Sequence, residues 1–319
     1  MSRLRVAALG LAALLFAPPA PAWNFVTHRV IAAMAYDQLK SSTRARVDAL
    51  IKQHPDYATL FVKNASANEP ARARAAFIEA AVWADQIRTD PRFYDETRPD
   101  AEPTPLLPGF PDMQRHGGWH FIDLPFSQDG TALESAAAPN LVTELDRLMT
   151  ELARPGGAND PSQRAYDLVW LIHLIGDVHA PLHCVSRFSV SEPKGDQGGN
   201  LVFVSVGNSA EGITLHKYWD DAVGTDTSPG WVNRTSTEIL RSHPSGEPSN
   251  EPQQFSPQAW AQESLSTAKI EIYRFGPENG SHQRPVSLPA GYRANAKKVA
   301  EAQVAKAASR LAAFLSLRL

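Results

Sequence analysis

Apolar residues recur at three- and four-residue spacing along most of this chain, a pattern that predicts amphipathic α-helices. The spacing is present at residues 25–34 and 77–82, and the clearest apolar stripe runs over residues 141–152. Residues 165–178 are apolar on nearly every side, which predicts a helix in the centre of the fold. The alanine- and leucine-rich segment 292–317 predicts a closing amphipathic helix.

Strand character is confined to a short region. Residues 201–206 and 213–215 flank Gly207-Asn208, which predicts one small β-hairpin. The proline-rich stretches at 98–111 and 243–257 are predicted to be surface loops, and no internal repeat is present. The pattern therefore predicts a mainly α fold, a single helical domain with one small β-hairpin.

The N-terminal segment has the composition of a secretory signal. Two arginines give it a basic start, residues 6–16 are almost wholly apolar, and Ala20-Pro21-Ala22 offers small residues for cleavage. We expect residues 1–22 to be removed and residues 23–319 to form an exported domain, in the periplasm or the extracellular medium. The leader is too short to span a bilayer, and no other uncharged apolar stretch reaches about 18 residues, so no membrane segment is predicted.

Charge and cysteine content narrow the possible functions. The formal charge of the whole chain is −3, and removing Arg3 and Arg5 with the leader makes it −5. A mildly acidic protein is a poor candidate for gripping duplex phosphates over a long basic footprint. Cys184 is the only cysteine, so no intrachain disulfide can form.

Cleavage after Ala22 would leave Trp23 with a free α-amino group. That amine and the neighbouring carbonyl could chelate a metal ion, and His28, five residues on, could reach the same ion. In this interpretation the removal of the leader creates a metal ligand as well as allowing export.

Two histidine–aspartate pairs have the four-residue spacing that places both side chains on one helix face. They are His173 with Asp177, followed by His183, and His216 with Asp220. Burying an ionised aspartate is costly without a partner, and a metal ion is a suitable partner. For either pair alone, a hydrogen-bonded core histidine is the simpler interpretation.

Two further motifs enlarge the candidate set. Trp83-Ala84-Asp85 is predicted to end a helix, and Trp119-His120-Phe121-Ile122-Asp123 follows a loop. A cluster of imidazoles and carboxylates with almost no thiol favours zinc in a hydrolytic site.

In this order and spacing, the motifs resemble those of the S1/P1 nuclease family, the trinuclear zinc nucleases specific for single strands. The resemblance covers nearly the whole chain after residue 22. It rests on the N-terminal tryptophan with histidine five residues on, Trp-Ala-Asp, Trp-His-Phe, His-x-x-x-Asp-x-x-x-x-x-His, Gly198-Gly199-Asn200 and His216-x-x-Trp219-Asp220.

The resemblance implies three Zn²⁺ ions per chain. The first ion would be bound by Asp85, His120, His173 and Asp177. The second would be bound by His183, His216 and Asp220. The third would be bound by Trp23, His28 and a bridging Asp177.

The same resemblance assigns Arg88 and Asp123 to catalysis and Phe121 to stacking on a nucleobase. It implies a monomeric endonuclease that hydrolyses single-stranded DNA and RNA to 5′-phosphorylated nucleotides and acts also as a 3′-nucleotidase. Paired zinc ions lower the pKa of a shared water, and stacking requires an unpaired base. For Arg88, a surface salt bridge is an equally good interpretation of the spacing alone.

Some positions depart from the family pattern. Ala180 stands where glutamine is common, and Asp221 stands where asparagine is often found, which is expected to affect the base-binding pocket. The disulfides of fungal members cannot form in this chain. His116 and His179 lie near the motifs and are expected to be supporting or surface residues rather than ligands.

Two other functions are compatible with such a cluster. Zinc-dependent phospholipase C looks similar, but it usually has a longer gap from its terminal tryptophan to the first histidine and a glutamate where Asp220 stands. An exported zinc-binding protein without catalysis would not need Arg88 and Asp123, which bind no metal. Both comparisons favour the nuclease.

Overall fold

Helices account for most of the residues that the computed structural model describes, which are 23–154, 160–207, 211–244, 255–276 and 278–319. The α-helices in these ranges are α1 (Phe25–Gln38), α2 (Ser41–Ile51), α3 (Glu69–Ala80), α4 (Trp83–Gln86), α5 (Leu141–Ala153), α6 (Pro161–Val178), α7 (Leu215–Asp220), α8 (Pro229–Ser242), α9 (Pro257–Thr267) and α10 (Tyr292–Arg318). The prediction of a mainly α fold is confirmed. Within the described ranges, no helix is both long and apolar enough to cross a bilayer.

Helix α6 begins where the sequence provides both a cap and a proline. The Asp160 side chain accepts hydrogen bonds from the backbone N–H groups of Ser162 and Gln163, and Pro161 occupies the first turn. Every residue from 165 to 178 is buried. The predicted central helix is therefore confirmed, and α2, α5, α9 and α10 pack around it.

Helix α5 uses the predicted apolar stripe to cover α6. Asn140 accepts hydrogen bonds from the N–H groups of Val142 and Thr143, and the Thr143 hydroxyl accepts one from the Asn140 N–H. This capping box fixes the start of the helix. The stripe is buried, and α5 packs on α6. Burial of apolar surface stabilises the pair by about 25 cal/mol per Å².

Helix α1 carries the N-terminal candidate ligand His28 into the interior. Ten residues of α1 are buried, namely all of those from 26 to 36 except partly exposed Arg29. The helix contacts α3, α6, α8 and α10. The predicted N-terminal ligand segment therefore lies beside the central helix.

Two small sheets complete the described fold. Strand β1 (Pro125–Ser127) pairs in parallel with β2 (Ser186–Phe188), and β3 (Phe203–Val204) pairs in antiparallel with β4 (Ile213–Thr214). The second sheet is the predicted hairpin, shortened to two residues in each strand. The first sheet was not predicted, because each strand has only three residues and its partner is distant in sequence.

The structure corrects one helix boundary. Helix α3 ends at Ala80, and Trp83 begins the four-residue helix α4, so the Trp83-Ala84-Asp85 motif starts a helix instead of ending one. Residues 98–111 contain no helix or strand, as predicted. The predictions for 1–22 and for most of 243–257 lie outside the described residues.

Candidate metal centre

Helix α6 brings two predicted ligands to the centre of the molecule. His173 and Asp177 are four residues apart and fully buried, with 3.2 Å between His173 Nε2 and Asp177 Oδ2. A carboxylate buried to this extent requires partners that offset its charge. The neighbouring side chains supply several.

Asp177 contacts histidines from three parts of the chain. Its Oδ1 is 3.3 Å from His28 Nε2, and its Oδ2 is 3.1 Å from His120 Nδ1. The rings of His28 and His173 are stacked, with 4.0 Å between their centroids. Both carboxylate oxygens therefore face imidazole nitrogens, the arrangement expected of a carboxylate that bridges two cations.

Asp85 on α4 completes a second group. Its Oδ1 is 3.9 Å from His120 Nδ1 and 4.0 Å from His173 Nε2. Ligand atoms within 4.8 Å of one another define two buried groups here, His28 with His173 and Asp177, and Asp85 with His120 and His173. Because His173 belongs to both groups and Asp177 touches both, they form one continuous cluster.

A third buried group follows the end of α6. His183 lies on the 3₁₀ helix Pro181–Cys184, and His216 and Asp220 lie on α7. The Nε2 atoms of His183 and His216 are 3.1 Å apart, and His216 Nε2 is 3.7 Å from Asp220 Oδ2. The structure thus brings together the three residues that the family resemblance assigns to one ion.

Backbone carbonyls orient three of the histidines. Each ring donates its Nδ1 proton to a carbonyl oxygen, His173 to Ala81 at 2.7 Å, His183 to His120 at 2.7 Å and His216 to Gly198 at 2.8 Å. A carbonyl oxygen can only accept, so Nδ1 carries the proton in each neutral ring. The Nε2 lone pairs are therefore presented to the ligand groups, as in protein metal sites.

The carbonyl of Gly198 reaches His216 because of a tight turn that only glycine allows. Gly198 has a φ of +64°, in the left-handed region. A Cβ at this position would collide with the carbonyl oxygen of Leu182. Gly198 therefore places a hydrogen-bond acceptor for the candidate ligand His216.

Asp196 is a buried acid that the sequence patterns did not identify. Its Oδ1 accepts hydrogen bonds from the backbone N–H groups of Arg187 at 2.9 Å and Gly199 at 3.2 Å. Its Oδ2 accepts one from the Tyr273 hydroxyl at 2.7 Å. Asp196 thereby holds the glycine turn in place, and an acid two residues before Gly198 was the available signal.

Burial favours the neutral form of several histidines in the three ligand groups, and the neutral form is the one that binds metal. Burial and the neighbouring His183 lower the pKa of His216 to about 3. Burial also lowers the pKa of His120 to about 4. For His28, burial and then the charge of His173 lower the pKa.

Burial and nearby carboxylates together determine the pKa values of His173 and Asp220. Burial disfavours a charge on His173, but the carboxylates of Asp177 and Asp85 outweigh it and raise the His173 pKa to about 9. Burial, and then the adjacent Asp221, raise the pKa of Asp220 well above its usual range. A divalent cation would offset the same carboxylate charges.

The unpaired atoms of the cluster fit a cation. In the described part of the chain, Asp85 Oδ2, Asp177 Oδ1 and His28 Nε2 are buried without a hydrogen bond of acceptable geometry. Buried polar atoms are usually satisfied, so this set of lone pairs requires an explanation. Imidazole nitrogens and carboxylate oxygens are suitable ligands for divalent transition metals. The residues present therefore fit metal ions.

Arg88 lies beside the cluster, and Asp123 is a partly buried acid that senses the charge of Asp196. Arg88 Nη1 is 3.4 Å from Asp85 Oδ1, and the Arg88 side chain is 15% exposed. After burial and His183, the charge of Arg88 also lowers the pKa of His216. Arg88 is therefore a partly buried cation that forms an ion pair with the candidate ligand Asp85. Asp123 is half-buried, and burial followed by the charge of Asp196 raises its pKa to about 6.

Phe121 and Trp23 occupy different environments. Phe121 is half-buried, and its carbonyl accepts a hydrogen bond from the N–H of Leu141 at 3.0 Å, which fixes the backbone. The Trp23 side chain is 1% exposed and packs in the main hydrophobic core. The predicted ligand atoms of Trp23 belong to its backbone, which the core packing of the ring holds in place.

His116 and His179 are buried apart from the three groups. His116 Nε2 is 2.9 Å from Asp112 Oδ1, and the His116 ring stacks on Trp119 with 3.7 Å between centroids. His179 Nε2 accepts a hydrogen bond from Arg310 at 2.8 Å. Both are buried, so the expected surface position is wrong, and neither belongs to the three ligand groups.

Comparison with known families gives an independent result. The family model described as S1/P1 Nuclease matches residues 23–319. A comparison with curated proteins finds no match. The matched range begins at Trp23 and includes all residues of the three ligand groups.

Proposed function

The chain belongs to the S1/P1 nuclease family, and from that premise we propose that it is a zinc-dependent endonuclease for single-stranded DNA and RNA. Membership of this family implies a nuclease, a hydrolase that acts on phosphodiester bonds. We extend this to 5′-phosphorylated products and 3′-nucleotidase activity. The observation that carries the proposal is the presence of three buried histidine–aspartate groups. His173 and Asp177 link two of them, and the guanidinium of Arg88 lies beside Asp85.

The proposed enzyme holds three zinc ions per chain. The ligands of the first are Asp85, His120, His173 and Asp177; those of the second are His183, His216 and Asp220; those of the third are Trp23, His28 and Asp177. Bound zinc lowers the pKa of water and offsets the charge of phosphoryl oxygens. The role of this chain is to hold the imidazoles and carboxylates in a buried, fixed arrangement.

Arg88 and Asp123 perform the steps that need no metal ligand. The Arg88 guanidinium, already held near Asp85, donates hydrogen bonds to the phosphoryl oxygens as their charge develops. Asp123 accepts a hydrogen bond from the attacking water and orients it toward phosphorus. With a pKa raised to about 6 by burial and Asp196, the Asp123 carboxyl is mostly ionised at neutral pH and can accept.

Two features support single strands as the substrate. Half-buried Phe121, next to His120, provides a ring on which an unpaired base can stack. Stacking is possible with every base, so it tolerates any sequence. Three divalent cations outweigh the three ligand aspartates, so an acidic protein presents a small local positive site for one or two phosphates.

We extend the proposal to export and to a monomeric state. The leader at 1–22 would direct the protein to the periplasm or the medium, and its removal would free the amine of Trp23. Export and ligand formation would then depend on the same cleavage. The active form would be a monomer, because one chain supplies all the proposed ligands.

Digestion of nucleic acids tests the proposal. The purified protein is incubated with RNA, single-stranded DNA and duplex DNA, with chelator and after zinc is returned. We expect single strands to be cut faster than duplex, chelation to abolish cutting, zinc to restore it, and the products to carry 5′-phosphates. Asp177→Asn controls for contaminating nuclease. Full activity after exhaustive chelation, or release of phosphocholine from phosphatidylcholine without nuclease activity, would contradict the proposal.

A further inference from the structure

Asn24 fixes the start of the helix that carries His28. Its side-chain Oδ1 accepts hydrogen bonds from the Thr27 N–H at 3.0 Å and the Thr27 hydroxyl at 3.1 Å. The backbone N–H of His28 itself donates to the Asn24 carbonyl at 3.3 Å. Asn24 also follows Trp23 directly, so it lies between the two proposed N-terminal ligands.

The other end of the Asn24 amide reaches a different ligand segment. Its Nδ2 donates to Asp221 Oδ1 at 2.9 Å and to the Gly224 carbonyl at 2.8 Å. Asp221 is the C-cap of α7 and follows the proposed ligand Asp220. One side chain therefore joins two ligand-bearing segments that are 197 positions apart in sequence.

The Asp221 carboxylate is held by two partners. Its Oδ1 accepts from Asn24, and its Oδ2 accepts from Lys217 Nζ at 2.7 Å. The Lys217 side chain is 60% exposed, whereas that of Asp221 is 26% exposed. An exposed ion pair of this kind contributes little to stability. The bond from partly buried Asn24 therefore links the end of α7 to the start of α1.

The contact with Asn24 indicates a structural role for Asp221 that its position in the sequence did not suggest. The departure from asparagine was expected to affect base binding, but the carboxylate is engaged with Asn24 and Lys217. On the basis of the nuclease function proposed above, we propose that Asn24 and Asp221 form a positioning pair that sets the separation of the metal ligands on α1 from those on α7. Small misplacements of such ligands have large effects on metal binding and turnover.

A carboxylate exchange tests the positioning pair. Asn24→Asp retains an oxygen that can cap α1 but places a second carboxylate against Asp221. Asp221→Asn retains an oxygen that can accept from Asn24. The double variant restores one N–H···O bond with donor and acceptor exchanged. Asn68, an exposed N-cap of α3, supplies the matched control Asn68→Asp.

Zinc affinity is measured by competition with a chromophoric chelator, and zinc content and thermal unfolding are measured on the same samples. We expect Asn24→Asp to weaken zinc binding about tenfold or more and to lower kcat more than it raises KM. The double variant should recover part of both losses, because the bond between positions 24 and 221 is restored while the bond to the Gly224 carbonyl is not. Asp221→Asn and Asn68→Asp should stay close to the unmodified protein in zinc affinity.

Two results would overturn the positioning pair. One is wild-type zinc affinity in Asn24→Asp; the other is a double variant whose losses equal the sum of the single losses, with no recovery. Zinc binding is read independently of nuclease activity. A protein that shows this pattern of zinc affinities but cuts no nucleic acid would therefore contradict the proposed function and support the positioning pair. Normal nuclease activity without this pattern would support the proposed function and contradict the positioning pair.

Discussion

Gly176 and His28 approach so closely that no side chain fits between them. A Cβ on Gly176 would lie 2.7 Å from His28 Nδ1 and 2.9 Å from His28 Cε1. Gly176 is buried in the last turn of α6, directly before Asp177. The absence of a side chain at this position lets α1 pack close enough for His28 to face Asp177.

Gly176→Ala should therefore displace His28 and weaken metal binding. Alanine is the better helix former, so the cost arises from the steric clash and not from helix propensity. We expect fewer zinc ions per chain by metal analysis and reduced nuclease activity. Gly230→Ala in α8 is the control, because the nearest atom to its Cβ is 3.5 Å away on the flexible Arg234 side chain. Equal losses in both variants would argue against the clash.

Asp177→Asn should be the most damaging single change among the proposed ligands. Its carboxylate contacts His28 and His120 through different oxygens, and a neutral amide neither bridges two cations well nor offsets their charge. Zinc content and activity are compared with those of Asp85→Asn and Asp220→Asn. A variant that still binds three zinc ions would show that the bridging role is wrong.

Phe121→Ala should weaken single-strand binding without changing zinc content. Removal of a stacking ring typically costs about 1–3 kcal/mol, which corresponds to roughly 5- to 150-fold weaker binding. KM for single-stranded substrates is the measurement, and Phe121→Tyr, which keeps the ring, should remain near the unmodified value. Unchanged KM on every nucleic acid would indicate that Phe121 only contributes to packing.

One extra residue before Trp23 should remove a zinc site. An amide nitrogen is a poor ligand compared with a free amine, while the helices and the other groups stay intact. A chain that starts at Trp23 is compared with one that retains Ala22. The extended chain should fold normally, bind one zinc ion fewer and lose most of its turnover. Equal zinc content and equal rates would show that Trp23 is an ordinary buried aromatic.

Because of His54, the free energy of unfolding should decrease as the pH falls on the acid side of neutrality. Burial lowers its folded-state pKa from 6.5 to about 3, and its Nδ1 accepts from the Asp56 N–H at 3.1 Å. Below pH 6.5 the unfolded chain binds a proton that the folded chain does not, so protonation favours unfolding. The contribution of His54 should therefore fall by about 2 kcal/mol between pH 7.5 and pH 5.

His54→Asn provides the comparison for this pH dependence, because its amide oxygen can replace Nδ1 as an acceptor. The difference in unfolding free energy between the two proteins, measured with urea, should shift in favour of the variant as the pH falls. A difference that is constant over this range would mean that His54 stays as easily protonated in the folded state as in the unfolded state.

Local patterns were sufficient where a residue's environment depends on its near neighbours in sequence. The stripe at 141–152 and the apolar run at 165–178 predicted α5 and α6, because helical periodicity is a property of residues close together in sequence. The four-residue spacing of His173 and Asp177 likewise placed both on one face. Three-residue strands carry no such periodic signal, which is why the β1–β2 pair was missed.

The sequence by itself determined the helical class of the fold and, through motifs in the order of a known family, the set of candidate ligands. Only the tertiary structure decided that Asp177 faces both His28 and His120, that Gly198 supplies the carbonyl for His216, and that Asn24 reaches Asp221. These contacts join positions far apart in the chain. They depend on how whole helices pack, and periodicity along one helix carries no information about which partner its polar face will meet.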